Sequence, residues 1–258
     1  MIKLENTEVL GWEAAIRGMR NPMNSWEKSD TRWSINPLYD GCISVAEDDE
    51  GYELFIGPND QKLMTNLAKA GSVEAKYRRM IVVTVDITAP LYWWKEFDTY
   101  KIGTVANSCS TMHKIHAKEF TLDDFSCEHL IGITEMLSMP DDLRPRLKVD
   151  FSDDKCPYAF YDIVPLGVLK ETVDMLNVCR EKFLETKDKR YWWQLIQLLP
   201  SSYNQCRTVM LNYEVLAGIY PKRKDHKLDE WHAFCDWIKN ELPYSEIITL
   251  EEKDGANA

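Results

Sequence analysis

The run Met80-Ile81-Val82-Val83-Thr84-Val85-Asp86-Ile87 passes directly into Thr88-Ala89-Pro90-Leu91-Tyr92-Trp93-Trp94-Lys95-Glu96-Phe97-Asp98-Thr99-Tyr100-Lys101-Ile102-Gly103-Thr104. Residues 80–87 are rich in β-branched side chains and alternate in their second half, which predicts a strand. Ala89-Pro90 ends it, and proline suits the first turn of a helix predicted over 90–101. Then comes Val105-Ala106-Asn107-Ser108-Cys109-Ser110-Thr111-Met112-His113, a dense run of small hydroxyl, amide and thiol groups. The aromatics Tyr92, Trp93, Trp94 and Phe97 suit a core. The polar run is a poor core and a good site lining, so a ligand is expected where the two meet.

Working outward, residues 8–20 read as an early helix and 30–57 as irregular, broken by Asn36-Pro37 and Asp40-Gly41. Pro58-Asn59-Asp60 caps a helix near 60–70 that Gly71 closes. In 121–165 the clusters Asp141-Asp142, Arg144-Pro145-Arg146 and Asp153-Asp154-Lys155 suggest an exposed insertion. Leu166, Val168, Leu169, Val173, Leu176, Val178 and Phe183 recur at helical spacing over 166–186. Tyr191-Trp192-Trp193 opens another apolar turn, stopped at Leu199-Pro200. A long helix is expected from Ser201 to about Tyr220, and a third over 225–240 with Trp231, Phe234 and Trp237 on one face. The polar tail 251–258 reads as frayed. The whole predicts one α+β domain over 1–250, with a central antiparallel-type sheet and several long helices.

A chain of 258 residues that is 45% hydrophobic can bury a sizeable core. Its net charge of -11 argues against duplex nucleic acid as a partner, which requires a basic face. The charged N-terminus does not read as a secretory signal, and no apolar run approaches the ~18 residues of a membrane span. Seven scattered cysteines without a CxxC pair suggest neither a disulfide framework nor a zinc ribbon. A cytoplasmic protein with reduced thiols is the simplest expectation.

Residues 80–104 resemble, without a gap, the core of the flavin-dependent thymidylate synthases. In that family a strand of pattern H-x-V-x-T-x-x-x-x-A-P leads into a helix ending R-H-R-x-x-S, followed by N-E-x-S-x-R. A second match lies in Leu199-Pro200, Asn212-Tyr213-Glu214-Val215-Leu216 and Arg223, which is similar to the family's L-P, N-x-R-x-L and final arginine. The resemblance spans about 75–240. It implies a homotetramer that binds FAD, dUMP, a methylene-tetrahydrofolate and a reduced nicotinamide. The implied chemistry is reductive methylation of uracil at C5, with the flavin carrying the hydride.

Carried onto this chain, the resemblance puts Thr104, Asn107, Cys109, Ser110 and Arg223 at the nucleotide. Tyr100, Lys101 and Asn212 fall at the flavin, and Ser110 and Arg223 are the candidate catalytic groups. The charged signature itself is largely replaced. Met80 stands for the strand histidine, Thr99-Tyr100-Lys101 for arginine-histidine-arginine, Thr111 or Met112 for the phosphate-binding arginine, and Glu214 for another arginine. Lysine does not reproduce the bidentate fork of arginine, and each charge-assisted hydrogen bond lost is worth ~1.5–3 kcal/mol. Other candidate phosphate ligands are Arg207, the run His113-Lys114-His116-Lys118, and the basic cluster 222–227 around Arg223.

His113 and His116 lack a clear third ligand, so no metal is expected. Ser110 has no GxSxG frame, so it reads as a positioning residue rather than a nucleophile. Cys109 reads as a small core residue or pocket wall rather than a reactive thiol. The alternative function is a divergent relative that binds a nucleotide or a protein and has lost flavin chemistry.

Overall fold

The computed structural model describes residues 2–39, 41–150, 158–162 and 164–250. In chain order they form β1 (Lys3–Leu10), α1 (Trp12–Arg20), β2 (Arg32–Ser34), β3 (Ser44–Glu47), β4 (Glu53–Phe55), α2 (Pro58–Ala70), β5 (Val82–Pro90), α3 (Leu91–Phe97) and β6 (Val105–Ser108). There follow α4 (Ile133–Ser138), β7 (Arg146–Asp150), β8 (Tyr158–Asp162), α5 (Pro165–Thr186), α6 (Lys189–Leu198), β9 (Asn204–Asn212), α7 (Tyr213–Arg223), α8 (Asp229–Asn240) and α9 (Glu246–Thr249). The α+β expectation is met.

Two compact units result. The first comprises Ile2–Thr88, Trp93–Ser108 and the described residues from Cys206 onward. Its main sheet has the order β1-β5-β9-β6, with β1 antiparallel to β5 and β6 antiparallel to β9. Alternation dictates the faces. Val83, Val85 and Ile87 of β5 and Val209 and Leu211 of β9 are buried, while Thr84, Asp86, Thr208 and Met210 between them are not. A second sheet, β2-β4-β3, is antiparallel throughout.

An aromatic cluster fills the core of this unit. The Trp93 ring lies 4.7 Å from Trp231, 5.1 Å from Phe97 and 5.7 Å from Phe234, centroid to centroid. All four rings are essentially inaccessible, and burial of each contributes about 1.5–3 kcal/mol or more. Trp231, Phe234 and Trp237 share the buried face of α8, as their spacing predicts.

The second unit comprises Ala89–Tyr92 and Cys109–Gln205. Its core joins Leu169, Val173, Leu176 and Cys179 of α5 to Leu195 of α6 and to Ile115, Phe120 and Phe125. Lys187 takes a left-handed conformation between the two helices, and Asp188 caps α6 by accepting the Arg190 N–H at 2.9 Å. Val168 and Val178 of the predicted apolar stripe face solvent instead, because the buried stripe follows 169, 173 and 176. β7 and β8 pair antiparallel, from Arg146 opposite Asp162 to Asp150 opposite Tyr158.

Several sequence expectations are corrected. Residues 8–10 belong to β1, and the helix starts only at Trp12, after Gly11 with φ of 93°. The irregular segment 30–57 contains three strands. The helix over 90–101 stops at Phe97, and the third helix of the sequence starts at Asp229 rather than 225. The long helix expected from Ser201 to Tyr220 is instead a strand and a helix, β9 and α7, divided at Asn212. Asn212 takes an extended conformation and its side chain caps α7, while Val209 and Leu211 alternate inward on a strand. Asp40, residues 153–156 and the tail 251–258 lie outside the described residues.

Candidate functional site

In the sheet unit, α3 ends in tight turns: Thr99 N–H donates to the Glu96 carbonyl and Tyr100 N–H to that of Phe97. Gly103 then takes φ of 78°, with the chain packed against the first turn of α7. A Cβ there would lie 2.9 Å from Val215 Cγ2. The Thr104 hydroxyl donates to the Tyr100 carbonyl, closing the loop on itself. The loop thereby delivers Tyr100 to Arg223.

Arg223 Nε donates to the Tyr100 hydroxyl at 2.8 Å, and Nη1 donates to Glu96 Oε2. The guanidinium lies 4.4 Å from the Trp231 ring centroid and 5.5 Å from that of Tyr100. Glu96 Oε2 also accepts the Trp231 indole N–H at 3.0 Å and lies 3.4 Å from His226 Nε2. Arg223 is thus an oriented cation on an aromatic shelf. The Tyr100 hydroxyl, having accepted, keeps its own proton to donate.

Asn212 Oδ1 accepts the Val215 N–H at 3.0 Å and caps α7. Asn212 and Arg223 sit at opposite ends of that helix, about 16 Å apart at ~1.5 Å per residue. Lys101 is exposed beside Tyr100. Glu214 binds Arg78 through both Nε at 2.8 Å and Nη2 at 2.7 Å, with Arg78 almost wholly buried.

Asn107 lies on β6 opposite Thr208, and Ser108 opposite Arg207. From Thr208 a polar row continues across the sheet: its hydroxyl donates to Asp86 at 2.6 Å, and Asn6 donates to the other Asp86 oxygen at 2.9 Å. These two hydrogen bonds, Thr208 foremost, lower the Asp86 pKa below the ordinary carboxylate value. Arg207 is a strand residue, not the helical one expected. It pairs with Asp98 at 2.7 Å and lies 4.1 Å from the Trp94 ring centroid.

Cys109 and Ser110 belong to the second unit, where both are exposed. The Cys109 carbonyl accepts the Gln205 side-chain amide at 2.6 Å. Ser110 Oγ accepts the backbone N–H of Met112 at 3.2 Å and of His113 at 2.9 Å. The hydroxyl organises a turn, and the structure gives it no hydrogen bond to the His113 ring. Among the described residues, no three His, Cys, Asp or Glu are grouped to hold a metal ion. No described helix is long and apolar enough to cross a membrane.

The structure therefore joins Tyr100, Thr104 and Arg223 in one constellation and assigns Asn212 to a helix cap. Sequence reasoning missed Glu96, Asp98 and Asp86. Glu96, the sole carboxylate of α3, pairs with a residue 127 positions away, so nothing local in the sequence marks the pair.

No protein-family model and no curated protein matches the sequence. Solved structures do match. Thymidylate synthase X (ThyX) from Helicobacter pylori, with FAD and dUMP, aligns over 97% of this chain and 98% of its own at 14% identity and a TM-score of 0.57. A second ThyX structure from that organism, also complexed with FAD and dUMP, aligns over 96% and 98% at 14% identity with a TM-score of 0.56. The UMP/dUMP methylase PolB from Streptomyces cacaoi, bound with 5-Br dUMP, aligns over 97% and 94% at 13% identity with a TM-score of 0.53. The chain has the fold of these ThyX and PolB structures.

Proposed function

We propose that this protein modifies a pyrimidine nucleoside monophosphate with the help of a bound flavin, by methylation at uracil C5 or a related one-carbon transfer. The observation that carries the reading is the oriented Arg223, set on Trp231 and fixed by Tyr100 and Glu96, in a chain that shares its fold end to end with proteins solved with dUMP or its bromo analogue. Arg223 keeps N–H donors without partners among the described residues, and these suit a phosphate or a uracil carbonyl. Thr104 and Asn107 would line the nucleotide in the same unit, with Cys109 and Ser110 following along the chain.

A bound flavin would meet hydrogen-bond donors of this chain. The Tyr100 O–H, Lys101 and the Asn212 Nδ2 are donors, and the isoalloxazine edge offers carbonyl and ring-nitrogen acceptors. Bound FAD would supply the hydride chemistry, with a reduced nicotinamide and a methylene-tetrahydrofolate as co-substrates. The protein's residues orient the nucleotide and hold its charge. The assembly proposed is a cytoplasmic homotetramer of single-domain chains, read out as mass by light scattering.

A second reading is favoured by the ion pairs Arg78–Glu214, Arg207–Asp98 and Arg223–Glu96, which neutralise cations internally. In that reading the chain binds a nucleotide or a protein without flavin chemistry. Purified protein decides between them. A yellow preparation with flavin absorbance, and dUMP binding that Arg223→Ala abolishes without unfolding, support the first. Colourless protein that takes up neither FAD nor dUMP in calorimetry overturns it.

A further inference from the structure

We infer that a cleft between α1 and β2 is a second ligand site, built for a planar aromatic anion. The cleft has a volume of about 240 Å³ and is lined by Arg17, Arg20, Arg32, Trp26, Trp33 and Glu13. It shares no residue with the Arg223 constellation. Three guanidiniums and two indoles around one cavity are unexpected on a chain of net charge -11.

The floor is rigid. Asp60, wholly buried, accepts Arg20 Nε at 2.6 Å, the Ser29 hydroxyl at 2.7 Å, the Thr31 hydroxyl at 2.7 Å and the backbone N–H groups of Asp30 and Thr31 at 3.1 and 3.0 Å. Arg20 Nη1 donates to the Ser25 carbonyl at 3.2 Å, so its guanidinium cannot swing away. Ile16 and Leu54, both buried, give the cleft an apolar base.

The walls are charged and aromatic, and their polar edges are already used. Trp26 Nε1 donates to Asn21 Oδ1 at 2.8 Å and Trp33 Nε1 to Glu13 Oε1 at 2.9 Å. Each indole is thereby fixed, yet Trp26 is 50% exposed and Trp33 36%. An exposed, oriented ring is a stacking platform. The Arg17 and Arg32 side chains are exposed, and neither guanidinium has a hydrogen bond or ion pair among the described residues. Asp60 balances Arg20 and Glu13 offsets one more guanidinium, so the cleft retains net positive charge. Arginine forks bind carboxylate and phosphate alike. The ligand therefore combines a flat ring with one such group, as in a mononucleotide or an aryl carboxylate.

The test is titration calorimetry of the full chain with adenosine monophosphate, indole-3-acetate, adenosine and inorganic phosphate. Adenine is chosen because the pyrimidine site is not built around it. Either aromatic anion should bind, with adenosine and phosphate each at least tenfold weaker. Arg17→Ala/Arg32→Ala should weaken binding at least tenfold and Trp26→Ala about fivefold or more, while Arg223→Ala leaves it unchanged. Both arginines are exposed and unpaired, so the double variant keeps its fold, as circular dichroism will verify. Absence of binding by both aromatic anions overturns the inference. So does binding that survives both cleft variants, or phosphate binding as well as the nucleotide does. Loss of dUMP binding alone, with the cleft intact, would count against the function proposed above and leave this site standing.

Discussion

Glu96 Oε2 is the anchor of Arg223. The same oxygen accepts from the Arg223 guanidinium and from the buried Trp231 indole, tying the end of α3 to the end of α7 and the start of α8. This relationship gives the arginine a fixed direction at the cost of part of its charge. An arginine held by a carboxylate binds phosphate less strongly than a free one, yet loses less side-chain entropy when it does.

Glu96→Gln should keep the shape of the cluster, free the guanidinium charge and tighten dUMP binding several-fold, measured by calorimetry. Glu96→Ala should lower stability by about 1–3 kcal/mol in urea unfolding, because the Trp231 N–H is left buried without an acceptor. A nucleotide affinity unchanged in Glu96→Gln would show that Arg223 does not reach the ligand.

Asn212 separates a structural from a flavin role. Asn212→Ala removes the α7 cap and should cost about 1 kcal/mol, whereas Asn212→Asp keeps the acceptor and should be nearly neutral for stability. If the residue also contacts flavin through Nδ2, Asn212→Asp weakens FAD binding while leaving the urea midpoint in place. Loss of both together would assign the residue to the cap alone.

The legible parts of the sequence were those where one physical term dominates. β5 reads as a strand because Val83, Val85 and Ile87 alternate inward, and α8 reads as a helix because Trp231, Phe234 and Trp237 repeat at its period. β9 was misread because Cys206, Val209, Met210 and Leu211 fit either period, and only the cap at Asn212 marks where strand becomes helix. Arg223 was singled out through the resemblance of the segment 199–223 to the family pattern that ends in an arginine. Its partner Glu96 was not, since an ion pair between residues 127 apart leaves no local pattern. The three strands within 30–57 were missed because strands of three or four residues carry almost no periodic signal.

Gly103 is the hinge of the signature loop. Gly103→Ala would force a Cβ into a left-handed backbone and within 2.9 Å of Val215 Cγ2. The expected loss is about 1–3 kcal/mol, read as a lowered urea midpoint, with weaker nucleotide binding because Tyr100 and Thr104 flank the hinge. Stability equal to the parent would mean that the loop relaxes without the contact.

Asp60 sets the acid limit of the sheet unit. Burial alone would raise its pKa, but hydrogen bonds from Ser29, Thr31 and Arg20, with the Arg20 charge, more than offset this and hold the carboxyl below its ordinary value. The unfolded carboxyl titrates near ~3.9. The stabilisation is therefore complete above that pH and is lost as pH falls through the lower folded value. Asp86, lowered in the same direction, acts in the same window. Asp60→Asn turns an amide donor toward Arg20 or toward the Ser29–Thr31 donors, and leaves a 4%-exposed guanidinium without its counter-charge. It should cost about 3–5 kcal/mol at neutral pH. Below about pH 4 the gap between the variant and the parent should narrow, because the parent carboxyl protonates there and the amide cannot. Urea unfolding at pH 7, 4 and 3 measures both effects. A gap that stays constant across the three would mean that Asp60 carries no linkage and that Thr31 and Ser29 alone hold the segment.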